Sequence, residues 1–322
     1  MRRNQQMSKY GFNTDTVPVP AEWQPEIAAY SIYLQSRNLS PKTLDISITS
    51  VEMLARWRKH HGYLDDLASV DKTAIIAWLA DSLKVKRSAG VITNYHCCNR
   101  FFKYLVNEDV LEHNPFDGVS MPKAEETMPD VLSITDIKAL LATCNGKTLI
   151  DRRDTALMLM FLDTGLRLSE CARITLNDID MTTKTIAVLG KGRIPSVVTF
   201  SLATANALNS YKRARDRYLT QKDWHTDRLW ISERVPRLGT DMIYTIMQDR
   251  AKEAGIQPLH PHMWRHTFAH MWLSAGGQTG DLMILGRWRS FHMANKYGRK
   301  LAYDRASEKH SQFSPADAVF KK

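Results

Sequence analysis

The chain has 322 residues, 43% hydrophobic and 24% charged, an ordinary globular composition whose length suits two domains. Lys and Arg outnumber Asp and Glu by 44 to 34, a formal net charge of +10, which favours a polyanionic partner, nucleic acid first. The N-terminal MRRNQQMSKY lacks an apolar signal core and the longest apolar run, ALMLMFL (156–162), is too short to span a bilayer, so neither a signal peptide nor a membrane role is expected.

The charge is uneven: 15 Lys and Arg face 13 Asp and Glu in residues 1–123, whereas 29 face 21 in the remainder. The larger part therefore carries most of the positive field. Four cysteines, Cys97, Cys98, Cys144 and Cys171, form no CxxC pair. They read as reduced packing residues of a cytoplasmic protein rather than as disulfides or zinc ligands.

Residues 1–24 are polar, carry Pro18 and Pro20, and read as a flexible arm. A helical domain is expected over 25–112. Ser40 is placed to cap a helix that has Pro41 in its first turn, and Leu44, Ile48, Val51, Leu54 and Trp57 recur along it every three or four residues. Further helices are predicted over 71–85, with Ile75, Ile76, Trp78 and Leu79, and over 88–107, with Val91, Tyr95, Phe101, Phe102 and Leu105. Together these suggest a bundle of about four helices.

The segment 113–132 contains Pro115, Pro122 and Pro129 and reads as an interdomain linker, long enough to let two lobes close around something wide. The second domain, 133–322, opens with a capping-box-like start at Ser133 and continues with an apolar helix at 151–163 that Gly165 ends. TKTIAVL-GKGR-IPSVVTF (183–200) alternates and turns on glycines, as a β-hairpin does. Helices are expected again at 201–219, 240–254, 262–275 and 279–286. The fold class is mainly α: a four-helix domain followed by a mixed α+β domain with a small β-sheet.

HPHMWRHTFAH (260–270) holds four histidines and an arginine. On a helix, His262, Arg265 and His266 share one face, which His270 continues. A metal site would use His262 and His266, but no carboxylate base stands between them and Arg265 would repel a dication. The alternatives are a packed helix and a device for handling phosphate. Three further features bear on the choice. DTGLRLSE (163–170) fixes Arg167 just past a helix-ending glycine, GKGR (190–193) presents Lys191 between glycines where a phosphate can approach, and LGRWRSFHMANKYGR (285–299) sets Trp288 nine residues before Tyr297.

The order TGLRxSE, GKG hairpin, HxxRH, then LGxW followed by Tyr resembles the catalytic domain of the tyrosine recombinases, the phage integrase family. The helical part, with NLSPKTL and later HNPFDGVSMPK, is similar to that family's four-helix, SAM-like core-binding domain. The resemblance spans roughly 25–300. It implies DNA strand transfer through a covalent 3′-phosphotyrosyl intermediate. The family's two arginines fall on Arg167 and Arg265, its lysine on Lys191, its histidine on His262, its His/Trp position on Trp288 and its nucleophile on Tyr297. Glu170, Arg193 and His266 are supporting candidates. One departure stands out. Arg287 occupies the place where many members have the histidine of LGH, and only Trp288 restores the nine-residue spacing to the tyrosine.

The implied partners are double-stranded DNA recombination sites, on which the family works as a homo-tetramer, or a hetero-tetramer with a related recombinase, through a Holliday junction. Accessory DNA-bending factors are further candidate partners, and the tail beyond Tyr297 is expected to dock on a neighbouring subunit. No metal, ATP or other cofactor is expected, because arginines supply the charge a cation would supply elsewhere. The departure at 286–288 and the long tail lean towards the integrase of a phage or mobile element over an Xer-type dimer resolvase. A type IB topoisomerase-like relaxer would share the chemistry, and a catalytically silent DNA-binding protein would lack the nucleophile.

Overall fold

The structure, a computed structural model, describes residues 17–123, 125, 129–190, 194–256, 258–288, 310 and 314–320. The chain forms two compact units, Met1–Thr127 and Met128–Lys322.

The first unit consists of α1 (Gln24–Ser36), α2 (Pro41–His60), α3 (Lys72–Val85) and α4 (Ser88–Asn107). Ser40 Oγ accepts from the Thr43 amide at 3.2 Å and Asp71 accepts from the Ala74 amide at 2.7 Å, satisfying amides that have no partner inside α2 and α3. The core is dense in aromatic rings. Trp23, Tyr30, Phe101 and Phe102 pack edge-on or stacked with centroids 5.2–6.2 Å apart, within the range in which aromatic pairs attract beyond their area. Most of the apolar periodicity is buried as the sequence predicts, but Ile76 is 49% exposed, lying off the α3 face that Ile75, Trp78 and Leu79 present to the core.

The ends of this unit extend past the expected boundaries. Val17 and Val19 pack against the core and Trp23 is fully buried, so residues 17–24 are part of the helical unit and not an arm. Residues 1–16 of the expected arm lie outside the described residues. Phe116 and Val119, in the segment read as a linker, are also core residues. Tyr95 donates to the Val119 carbonyl at 3.0 Å, and Asn114 Oδ1 accepts from the Phe116 amide at 3.0 Å. A stretch without helical or strand periodicity is thus pinned by two apolar anchors and side-chain bonds to its backbone.

The second unit begins with α5 (Ile134–Ala142) and α6 (Leu149–Thr164), each opened by a reciprocal capping box, Ser133 with Asp136 and Thr148 with Asp151. The Thr148 cap starts α6 two residues earlier than its apolar run suggests. A four-residue helix, α7 (Leu168–Cys171), follows. Three antiparallel strands come next in the order β1 (Ile179–Asp180), β2 (Thr185–Leu189), β3 (Pro195–Thr199). The expected hairpin is the β2–β3 pair, with Ile186 opposite Val198, both buried. The very short β1 adds to its edge. The helices α8 (Leu202–Lys222), α9 (Thr240–Glu253), α10 (Pro261–Ser274), α11 (Thr279–Gly286) and α12 (Pro315–Phe320) complete the described elements. The apolar helix α6 runs through the middle, packed by α8 and α10, so its end is held from several sides.

All four cysteines are free and buried. Among the described residues no helix is long and apolar enough to cross a membrane, and no group of three or more His, Cys, Asp or Glu could hold a metal ion.

Candidate active site

The site is built around the end of α6. Thr164 donates to the Met160 carbonyl at 2.6 Å and accepts from the Leu166 amide at 3.3 Å, tying the turn back onto the helix. Gly165 ends the helix with φ 57°, a left-handed conformation in which a β-carbon is disfavoured. A β-carbon there would also lie 2.5 Å from the Phe268 ring of α10. Glycine therefore meets two demands at once: it reverses the chain and lets α10 come close.

The reversal delivers Arg167 to the start of α7. Its amide donates to Glu170 Oε2 at 3.0 Å and its guanidinium Nη1 to Oε1 at 2.6 Å. The Glu170 carboxylate is 4% exposed and the Arg167 side chain 30% exposed. The carboxylate is thus an interior anchor, and the guanidinium it holds still reaches solvent. Ionic hydrogen bonds of this kind are the strong ones.

Arg265 comes from α10 and is 4% exposed. Its Nη1 donates to the Gly165 carbonyl at 2.7 Å and its Nη2 to the Gly286 carbonyl at the end of α11. The guanidinium lies 4.5 Å from the centroid of the Trp288 ring, a cation–π arrangement that strengthens when water is excluded. One side chain therefore joins the end of α6, the face of α10 and the end of α11. Each bond from a charged donor contributes about 1.5–3 kcal/mol, which offsets part of the cost of burying a guanidinium.

Trp288 is buried in a small cluster with Phe268, Ala269, Leu273 and Leu282. A β-carbon on Gly286 would stand 2.2 Å from the Trp288 ring, so the indole needs a glycine beneath it. Between them stands Arg287, with φ 55°. Its amide donates to the Ile284 carbonyl at 3.1 Å and the next amide, of Trp288, to Met283 at 3.0 Å, a Schellman end in which the left-handed position usually falls to glycine. Arginine there costs about 1–2 kcal/mol of backbone strain. Its side chain turns inward, where Nη2 donates to Glu170 Oε2 at 2.9 Å. In the sequence Arg287 stands out only as an interruption of spacing; the signal of its role is a large charged residue directly after a helix-ending glycine.

His262 opens α10 on the same side. Partial burial, then the positive charges of Arg265 and Arg167, hold its pKa below the ordinary imidazole value. The ring is therefore neutral at neutral pH and able to accept a proton. His266 lies one turn on, its ring centroid 6.2 Å from that of His262.

Five of the expected site residues, Arg167, Glu170, His262, Arg265 and Trp288, are thus gathered around Gly165 and the end of α11, with His266 beside His262. Lys191, Arg193 and Tyr297 lie outside the described residues. The Gly190 amide donates to the Ile194 carbonyl at 2.9 Å, on either side of the first two in the sequence.

Residues 130–303 match the phage integrase family. The chain is 30% identical to the tyrosine recombinase XerC of Oceanobacillus iheyensis over 257 residues, covering 79% of this chain and 84% of that protein. It is 29% identical to XerC of Lacticaseibacillus casei over 254 residues, covering 78% and 85%. Among solved structures, it is similar to the XerH site-specific recombinase in a post-cleavage complex with a palindromic difH substrate, with a TM-score of 0.67 at 14% identity over 82% of this chain and 79% of that one. A lambda integrase tetramer bound to a Holliday junction gives 0.64 at 16%, over 85% and 76%. At these identities the two structures speak for the fold. With more than half of its length in the matched region, the chain belongs to the phage integrase family and is a tyrosine-type site-specific recombinase, an enzyme that breaks and rejoins DNA.

Proposed function

We propose that the residues around Gly165 are the strand-transfer centre and that Tyr297 is its nucleophile. The observation that carries this reading is the pair of bonds from Arg265 to the carbonyls of Gly165 and Gly286, which brings both arginines and Trp288 to one place on rigid elements. A phosphodiester gains charge on its non-bridging oxygens as it reacts, and preorganised cations stabilise that charge most effectively when they need not move. Arg167 and Arg265 fill that role and remain charged at any working pH.

In the forward step the Tyr297 oxygen bonds to phosphorus, the bond from phosphorus to the 5′-oxygen breaks, and the protein is left joined to a 3′-phosphate. The phenol proton passes to His262, whose neutral form accepts it. Lys191 gives a proton to the departing 5′-oxygen. Trp288 backs Arg265 and borders the phosphate. Glu170 holds Arg167, His266 supports the His262 face, and Arg193 contacts the DNA backbone. The reverse step, with a 5′-hydroxyl of another strand, rejoins the DNA without an external energy source or cofactor.

The proposed assembly is a homo-tetramer, or a mixed tetramer with a related recombinase, on two double-stranded sites, passing through a Holliday junction in the cytoplasm. The similarity to the lambda integrase tetramer supports it. The helical unit and the catalytic unit would both contact duplex DNA, mostly through phosphates, giving salt-dependent affinity. The proposed role is integration and excision of a phage or mobile element. A second reading, an Xer-type dimer resolvase, is favoured by the XerC relatives, most of whose length this chain matches.

The test uses randomly nicked duplex fragments of the genome that encodes the chain. Wild type should capture DNA covalently at a 3′ end, seen on a denaturing gel, and Tyr297→Phe should capture none. Capture by the variant would move the nucleophile to another tyrosine, Tyr303 first. Capture by neither would overturn the catalytic reading. Sequencing the captured fragments separates the roles: junctions of a mobile element support the first, and a lone chromosomal site supports the resolvase.

A further inference from the structure

The pairing of Arg287 with Glu170 goes unused in the mechanism above. Three arginines, Arg167, Arg265 and Arg287, surround the site, and Glu170 bonds to two of them. The two are unequally placed: the Arg287 side chain is 9% exposed and that of Arg167 is 30% exposed. Arg167 can therefore meet a phosphate, and Arg287 lies behind it.

A carboxylate in contact with an arginine cancels most of that arginine's field at a distance. Without Arg287, an approaching phosphodiester would meet an Arg167–Glu170 pair with no net charge. A second arginine on the same carboxylate leaves the triad with one positive charge in excess. We propose that Arg287 is a positioning residue that acts through Glu170, sharing its charge so that Arg167 faces the scissile phosphate as a cation. The inference rests on the reading of Arg167 as a phosphate contact.

Two independent features agree with it. The backbone at Arg287 has a positive φ, so the side chain's contacts must hold the residue in a conformation that glycine would adopt freely. In addition, Nε and Nη1 of Arg287 are buried without a hydrogen-bond partner among the described residues. A residue kept only for stability would be a poor choice on both counts. Burial first, and Arg167 to a lesser degree, lower the pKa of Arg287 below the ordinary arginine value, against the opposing pull of Glu170.

The experiment measures single-turnover cleavage, at saturating protein, of whichever nicked duplex the wild type captures. Arg287→Met should slow cleavage about tenfold or more. Arg287→Gly should slow it equally without lowering the melting temperature, because glycine relieves the backbone. The double variant Glu170→Gln with Arg287→Met should regain much of the lost rate, since the carboxylate that quenches Arg167 is gone while the one amide oxygen of glutamine keeps one of the two bonds that Arg167 gives to Glu170. Such recovery would not follow if Arg287 served only to hold the fold. Wild-type cleavage by Arg287→Met, or a double variant no faster than that single one, would overturn the inference. Arg167→Ala separates the two levels: if it cleaves normally, the reading of Arg167 falls, and the inference with it.

Discussion

The helical unit and the catalytic unit each bury an arginine almost completely, and they do so with different reach. Arg58, 2% exposed, donates to the Leu64 carbonyl at 3.0 Å and to Ser69 Oγ at 2.9 Å, with the Tyr63 ring 5.1 Å away. Arg265, 4% exposed, also meets backbone carbonyls and an aromatic ring. The partners of Arg58 lie 6 and 11 residues along the chain, whereas those of Arg265 lie 100 and 21 away. One arginine ties down the loop after its own helix. The other collects three segments, the end of α6, α10 and the end of α11, which carry the candidate catalytic residues Arg167, His262 and Trp288. A buried cation is thus no mark of function by itself, nor is a distant partner, since the buried Arg153 reaches the Ile231 carbonyl 78 residues away; Arg265 stands apart in what the segments it joins carry.

Replacing Arg265 should break that comparison most visibly. Arg265→Lys keeps the charge but cannot make both carbonyl bonds and lie flat on Trp288. The expected result is a loss of about 10²- to 10³-fold in single-turnover cleavage, measured on the duplex the wild type captures. Near-wild-type cleavage would show that the planar fork is not needed and that Arg265 only supplies positive charge.

Much of this arrangement is legible in the sequence, and the part that is not has a common cause. Ser40 with Pro41, Asp71 and Ser133 announce helix starts because capping is a local bond. Gly165 announces a helix end because a left-handed residue is a local requirement. The order of the motifs points to Arg167, His262, Arg265 and Trp288. Trp23, Phe116 and Val119 are hidden because each is a single apolar anchor in an irregular stretch, with no period to expose it. The two-residue β1 is too short to alternate. Arg287 is hidden because its partner, Glu170, is 117 residues away and the pairing exists only once the end of α11 reaches α7.

His262 sharpens the comparison through pH. Burial and two arginines lower its pKa, so it stays neutral until the pH falls below the ordinary imidazole value of about 6.5. If it takes the Tyr297 proton, wild-type cleavage should hold from neutral pH down to that point and fall beneath it, as the base becomes protonated. His262→Gln should cleave about 10²-fold more slowly at neutral pH and lose the acid limb. A variant that is slow but keeps the limb would assign the titration to another group and leave His262 a role in positioning alone.

The smallest effect is expected at Arg58. Burial lowers its pKa, and its Nε and Nη1 have no hydrogen-bond partner among the described residues, so removing the charge also removes a cost. Arg58→Met keeps the apolar stem against the core but takes one donor from the Leu64 carbonyl, which Ser69 Oγ also reaches at 3.4 Å. Losing one bond from a charged donor while a second donor remains should cost about 1 kcal/mol. Chemical denaturation of the whole chain should register that loss, while cleavage per folded molecule stays at the wild-type level. A drop in cleavage with stability intact would mean that the loop Arg58 holds takes part in DNA binding, and the helical unit would then share with the catalytic unit the use of a buried arginine to shape a contact surface.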